Sequence, residues 1–173
     1  IINSAILLKK EGNSRFYFQI IGDGPKKKDC VIKSIQYDLS NVEFKDPVPK
    51  SQVPSFLERA DILIAAVTNS RTYEFGINLN KLVDYFEVEK PIVFSGKGFN
   101  DPVSESGAGF SIPPENPVKM IAALKKIGNM TEEERIKLGK KGRKYFEKNR
   151  NLITLTNQME DMFDRAIRNN LNF

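Results

Sequence analysis

The chain reads as an α/β domain built on a parallel sheet with helices on both faces. Short apolar runs rich in branched and aromatic residues alternate with amphipathic helical stretches along the whole length, the pattern that produces parallel sheets. One run, Asp61 to Val67 (DILIAAV), is almost continuously apolar, as expected of a central strand covered on both faces. Several runs end in glycine- or proline-bearing loops, so any ligand site belongs in the crevice beyond the strands' carboxyl ends.

The elements follow in order. Ile1 to Glu11 has helical spacing of Ile2, Ala5, Ile6 and Leu8, and Gly12-Asn13 ends it. The chain opens on Ile1 rather than Met, inside this helical pattern, and reads as part of a longer protein. Arg15 to Gly22 (RFYFQIIG) is a buried strand that runs into the turn Asp23-Gly24-Pro25. Lys26 to Tyr37 is a helix with Cys30, Val31, Ser34 and Ile35 inward. Asn41 to Phe44 is a short strand, followed by the loop KDPVP. Ser51 to Arg59 is a short helix that Ser51 can cap, with Val53, Phe56 and Leu57 toward the core. After the strand Asp61 to Val67 comes a polar loop, Thr68 to Gly76.

The next stretch, Thr72 to Val93, organises the rest. The chain turns on Gly76 and enters a helix that Asn78 or Asn80 can cap. Leu79, Leu82, Val83 and Phe86 share one face, with Lys81 and Asp84 on others. Pro91 stops the helix, and Ile92 to Ser95 is a core strand. A helix N-terminus beside a glycine offers N–H groups and the dipole's positive end to a phosphate. The plainer alternative is an ordinary amphipathic helix with an idle loop. Beyond it lie a very short helix at Asp101 to Ser106 and a last strand, Gly109 to Ile112. A helix from Pro117 to Ile127 is capped by Asn116. A further helix opens on a Thr131/Glu134 capping box and runs to Lys148. The final helix, Leu152 to Asn170, carries Ile153, Leu155, Met159, Met162, Phe163 and Ile167.

Composition limits the chemistry. The 173 residues suffice for one α/β core, and 40% hydrophobic with 28% charged content is ordinary for a globular domain. The net charge of +5 permits attraction to anionic ligands or membranes and demands neither. No histidine is present, which excludes a histidine triad, general base or metal ligand within this chain. A single cysteine, Cys30, excludes an internal disulfide. No apolar run approaches the ~20 residues that span a bilayer, and nothing points to nucleic acid.

Taken together and in order, five segments resemble the carboxyl-terminal half of a retaining glycosyltransferase of family 4, which has the GT-B fold. They are IIGDGPKKK, NVEFKDPVP, VPSFLERADILIAAV, EFGINLNKLVDYFEVEKPIV and GAGFSIPPENP. The resemblance covers nearly the whole chain. It implies a Rossmann-like nucleotide-sugar-binding domain over residues 1–150, lacking its first strand. Residues 151–173 would form a helix that packs back toward an amino-terminal acceptor domain absent here. The helix motif Asn80-Lys81-Leu82-x-Asp84-Tyr85 is similar to a subgroup that builds cell-surface glycans such as lipopolysaccharide O-antigen and capsule.

The resemblance also implies roles. The Asp84 carboxylate accepts hydrogen bonds from the donor's ribose hydroxyls, a charge-assisted arrangement. Gly76 and Ile77 offer backbone N–H groups to the diphosphate, and Lys81 neutralises phosphate charge. Glu74 contacts the donor sugar, and Lys81 and Glu74 are the candidate catalytic groups. Arg71 and Tyr73 reach the pyrophosphate or sugar. Gly22, Gly24 and Pro25 shape the rim, and the Glu43–Asp46 stretch, with Phe44 and Lys45, meets the base through its backbone. Each also has a structural reading, as a turn glycine, a solvated lysine or a loop carboxylate.

Two features depart from the family. Its paired acidic residues are separated by seven positions, whereas nine lie between Glu74 and Asp84. Its basic Arg and Lys before the first helix have no counterpart here. The activity that the resemblance implies is metal- and cofactor-independent transfer of a hexose from a UDP- or GDP-sugar to a lipid-linked or polysaccharide acceptor. This half alone is expected to be inactive. The expected location is cytoplasmic, at the inner face of a bacterial membrane, with the basic cluster Lys137 to Arg150 as one possible contact. A nucleotide-sugar epimerase of the same fold and a non-catalytic α/β binding or regulatory domain are the alternatives.

Overall fold

The computed structural model describes residues 1–170. Among the described residues, five short strands alternate with helices, eight of which are α-helices, and every strand pairing is parallel. Helix α1 (Ile2–Lys10) leads to β1 (Phe18–Ile21), α2 (Lys27–Gln36) and β2 (Val42–Lys45). Helix α3 (Val53–Glu58) precedes β3 (Leu63–Ala66), and α4 (Asn80–Glu87) precedes β4 (Ile92–Ser95). Helix α5 (Pro102–Ser106) and β5 (Gly109–Ile112) follow, then α6 (Pro117–Gly128), α7 (Glu132–Asn149) and α8 (Leu152–Asn170). The expected fold class holds: parallel strands are flanked by helices on both faces.

The strands do not form one ladder. Strand β1 pairs with β2, and β3, β4 and β5 form a separate three-stranded sheet in that order. Strand β4 is the fully covered one, with all four residues buried. This corrects the expectation for Asp61–Val67. Only Leu63–Ala66 is strand, and it lies at an edge, with Ile62 and Ile64 half-exposed. Its apolar run reflects helices on both faces and not a partner on both edges.

Each face has its own core. Ala5, Leu8, Phe18, Val93, Leu124 and Ile127 belong to one, under α1 and α6. Ile77, Leu82, Phe86, Ile92, Phe94 and Val103 belong to the other, under α4, α5 and α7. Helix α2 covers little sheet: Ser34 is its buried residue, and Ile35 points outward at 72% exposure, contrary to expectation. Lys50–Gln52 forms a 3-10 turn ahead of α3, so Ser51 is drawn into that turn and caps nothing. The α6 and α7 caps form as expected, including the reciprocal Thr131–Glu134 box.

Glycines set the closest approaches. A β-carbon on Gly109 would lie 1.7 Å from the Ile92 carbonyl oxygen, so β5 can reach β4 only with glycine there. In α7, a β-carbon on Gly139 would lie 1.7 Å from the Glu89 carbonyl oxygen, and one on Gly142 would lie 2.7 Å from the Phe86 ring. These glycines let α7 settle against the end of α4. Glycine in an exposed helix interior costs ~1 kcal/mol relative to alanine. For Gly139→Ala the sign should reverse, with a loss of about 1–3 kcal/mol from overpacking against fixed backbone. Urea denaturation measures it, and a gain in stability would refute the packing argument.

Candidate functional site

Because all strands are parallel, their carboxyl ends meet along one rim. Ile21 runs there into Gly22, which has φ +128°, and Gly22 N–H donates to the Lys45 carbonyl at 3.2 Å. This ties the first rim turn to the end of β2. Gly24 N–H donates to Asp23 Oδ1 at 2.8 Å, closing the Gly22–Pro25 turn.

The loop after β3 is held in two ways. Ser70 Oγ accepts from Thr72 N–H at 3.3 Å and starts a 3-10 turn over Arg71–Phe75. Gly76 then takes φ 140° and ψ 155°, a conformation open essentially only to glycine. The next residue, Ile77, is 1% exposed in the core under α4. Its N–H donates to Asn100 Oδ1, and its carbonyl accepts from Asn100 Nδ2 at 3.1 Å. Asn100 thus copies a backbone partner and clips the β3 loop to the β4 loop. This changes the expectation for Ile77: its N–H is already paired with Asn100 and is not free for a phosphate.

Nor do Asn78 and Asn80 cap α4. Leu79 occupies the N-cap position with extended dihedrals and no side-chain bond. Anchoring Ile77 in the core fixes the register, so Asn78 falls one residue early and Asn80 lies inside the helix. The first N–H groups of α4 receive no side-chain cap. Leu82 and Phe86 are buried as expected, whereas Val83 is exposed.

The structure brings together three of the expected residues. Lys45, Lys81 and Asp84 line one end of a cleft of about 840 Å³ that lies between β1 and β3. Lys81 and Asp84 are three residues apart on α4, Lys81 exposed and Asp84 half-buried. Among the described residues, neither forms an ion pair or side-chain hydrogen bond. Lys45 Nζ lies 5.5 Å from the Phe56 ring centroid and 3.5 Å from Glu43.

The other expected residues do not line this cleft. Glu74 and Arg71 are exposed on the 3-10 turn, Gly76 is beside the Asn100 clip, and Gly22, Gly24 and Pro25 form the neighbouring rim. Tyr73 packs partly into the core under α4, and its carbonyl accepts from Gly76 N–H at 3.2 Å, so it shapes the loop. Phe44 packs against the core under α1 and leaves only its backbone at the rim. Asn100 was not among the expected residues. A lone Asn after a glycine-rich stretch carries no local signal for pairing 23 positions away. Among the described residues, no group of three or more Asp, Glu or Cys side chains converges to hold a metal ion.

With the fold and rim in view, the comparisons define the class. The model of the family "Glycosyl transferases group 1" matches residues 1–129. The chain belongs to this family. A search of curated proteins finds no match.

Solved structures share its fold. A glycosyltransferase from Rickettsia africae superposes with a TM-score of 0.76 at 12% identity, over 97% of this chain and 44% of that one. Anabaena HepE, solved with UDP-glucose, gives 0.73 at 14% identity, over 94% and 44%. The carboxyl-terminal domain of a group 1 glycosyl transferase from Francisella tularensis gives 0.65 at 16%, over 87% and 77%. The chain spans less than half the length of the first two.

Tyr85 also borders the cleft, and its hydroxyl donates to the Ile64 carbonyl at 3.2 Å. Burial, and secondarily the Asp84 charge, hold its pKa above the ordinary tyrosine value. A phenol whose pKa is raised by folding contributes stability that is intact below the unfolded pKa of about 10 and is lost as pH rises through the folded value. The urea midpoint of the native chain should therefore fall above about pH 10, and fall less in Tyr85→Phe. An unchanged alkaline profile in the variant would count against this role.

Proposed function

We propose that this chain is the donor-binding half of a retaining glycosyltransferase of family 4, taking a UDP- or GDP-sugar. The observation that carries the reading is the pairing of Asp84 and Lys81 on α4 at the rim end of the cleft. A half-buried carboxylate without a partner can accept from two vicinal ribose hydroxyls. One turn away, the Lys81 ammonium and the uncapped N–H groups of α4 face the region where a diphosphate would carry its charge. The Lys45 end of β2 presents backbone groups to the base. HepE's complex with UDP-glucose supports a nucleotide-sugar donor of this kind.

In this reading a leaving diphosphate is stabilised by preorganised N–H groups and lysine charge, without a metal. Glu74 reaches the donor sugar from its exposed turn, and Arg71 can swing toward the pyrophosphate. The acceptor, a lipid-linked sugar or growing surface polysaccharide, is held mainly by another domain. Helix α8 supports that arrangement. Leu152 is 80% exposed and Phe163 62% exposed, which gives the helix an apolar stripe suited to packing on a second domain. Activity at the cytoplasmic face of a membrane fits the basic cluster on α7. Among the described residues, no helix is long and apolar enough to cross a membrane.

Titration with UDP and GDP, followed by amide chemical shifts, tests the reading. Shifts should concentrate on Lys45, Lys81 and Asp84. Removing a hydrogen-bonded charge costs about 1.5–3 kcal/mol, so Asp84→Ala should weaken binding roughly 10- to 100-fold. Lys81→Ala should weaken it less and flatten its salt dependence. Absence of shifts with both nucleotides, or equal affinity in Asp84→Ala, would reject the assignment.

A further inference from the structure

Strand β2 pairs with β1, and among the described residues no strand pairs with its other edge. Phe18 N–H donates to the Asn41 carbonyl, and Gly22 N–H to the Lys45 carbonyl. The two-residue alternation of a strand therefore turns the backbone groups of Asn41, Glu43 and Lys45 toward β1. Val42 and Phe44 direct their N–H and C=O groups outward, along the free edge.

Helix α2 overhangs that edge. Lys33 Nζ donates to Asn3 Oδ1 at 2.7 Å, so this flank of α2 faces α1. Helix α1 shares its core with Val93 and Leu124, on the side of β1 away from β2. Each residue of a helix turns about 100° from the last. Ser34 then points to the sheet, and Val31 and Ile35 fall on the flank opposite Lys33, above the free edge. Ile35 is 72% exposed and its neighbour Ile32 54% exposed. Val42 and Phe44 lie half-buried on the same face of the strand, against the core under α1. An apolar helix flank thus stands over an unpaired strand. Glu43 and Lys45 occupy the strand's other face, half-buried and 3.5 Å apart.

We infer that β2 and α2 form a homodimer interface, in which two copies of this chain join their sheets edge to edge across a twofold axis. The two β2 strands run antiparallel, with Phe44 opposite the partner's Phe44. Glu43 then stands opposite the partner's Lys45, and Lys45 opposite the partner's Glu43. Sliding the strands by two residues one way sets Glu43 against the partner's Glu43. Sliding them the other way sets Lys45 against the partner's Lys45. Charge therefore selects one register, and that register is self-complementary, as a twofold contact requires.

The helices fit the same arrangement. With strands ~4.8 Å apart, two helices that each sit over their own β1–β2 pair lie about 10 Å from one another, the spacing at which helices pack. Val31 and Ile35 then face the partner's α2 and leave water. A lone strand from another chain would pair the edge but leave Ile35 uncovered, so the surface fits a second copy better. The interface goes beyond the nucleotide reading above and does not depend on it.

Sedimentation velocity of the 173-residue chain, with no nucleotide present, tests the dimer. The fitted mass should rise from 19.7 kDa toward twice that value with concentration. Ile35→Glu sets two carboxylates near the twofold on an exposed helix surface. It should weaken the dimer at least about 10-fold, with the urea midpoint of the dilute chain unchanged. Lys45→Glu should weaken it as well, and Glu43→Lys combined with Lys45→Glu should restore it. In the dimer, hydrogen exchange of the Val42 and Phe44 amides should slow at least about 10-fold relative to the dilute chain, and that of Glu43 and Lys45 should slow less. A monomer at every concentration would overturn the inference and leave the edge to solvent or to another chain's strand. A dimer that survives Ile35→Glu, or one in which the Val42 and Phe44 amides stay fast, would also overturn it, because such a dimer forms through another surface such as α8. A charge-swapped chain that dimerises no better than Lys45→Glu alone would do the same.

Discussion

A parallel strand is satisfied only when both edges are paired and both faces are covered. Strand β4 meets all four conditions, and the structure is built outward from it. Its residues are buried throughout, β3 and β5 pair with its edges, and the two cores lie on its two faces. Strands β1 and β3 each fail on one edge. The cleft between them is the direct consequence, and the residues with the clearest chemical potential, Lys81 and Asp84, stand at its rim end.

Close approach governs the other side of the rim. Gly98 packs against the loop after β3, where a β-carbon would lie 2.5 Å from the Tyr73 carbonyl oxygen. Gly76 supplies the unusual backbone conformation between that loop and α4. Asn100 then fastens Ile77 from the β4 loop. Together they lock the register of α4, so Leu82 and Phe86 point to the core and Asp84 turns toward the cleft. The glycines of α7 hold the far end of the same helix. The one helix that carries the candidate site is thus constrained at both ends by contacts that only small residues permit.

Much of this was legible beforehand because local signals and final structure agreed. The strand–helix alternation, the β5 boundaries, the Asn116 cap and the Thr131 box depend on neighbours a few residues apart. The placement of Asp84 off the apolar face of α4 was legible from the helical spacing of Leu82 and Phe86. The Ile77 amide, the absent Asn78 or Asn80 cap, and outward-facing Ile35 were not. Each depends on a partner distant in sequence, or on how much sheet lies beneath a helix.

The sequence by itself determined the class: parallel strands, helices on two faces, and loops gathered at one end, because periodicity and turn chemistry are short-range properties. Only the tertiary structure decided which edges go unpaired, which amides are taken, and which charged side chains share a cleft. Those outcomes depend on hydrogen bonds and steric contacts between segments far apart along the chain, and local pattern does not encode where such segments meet.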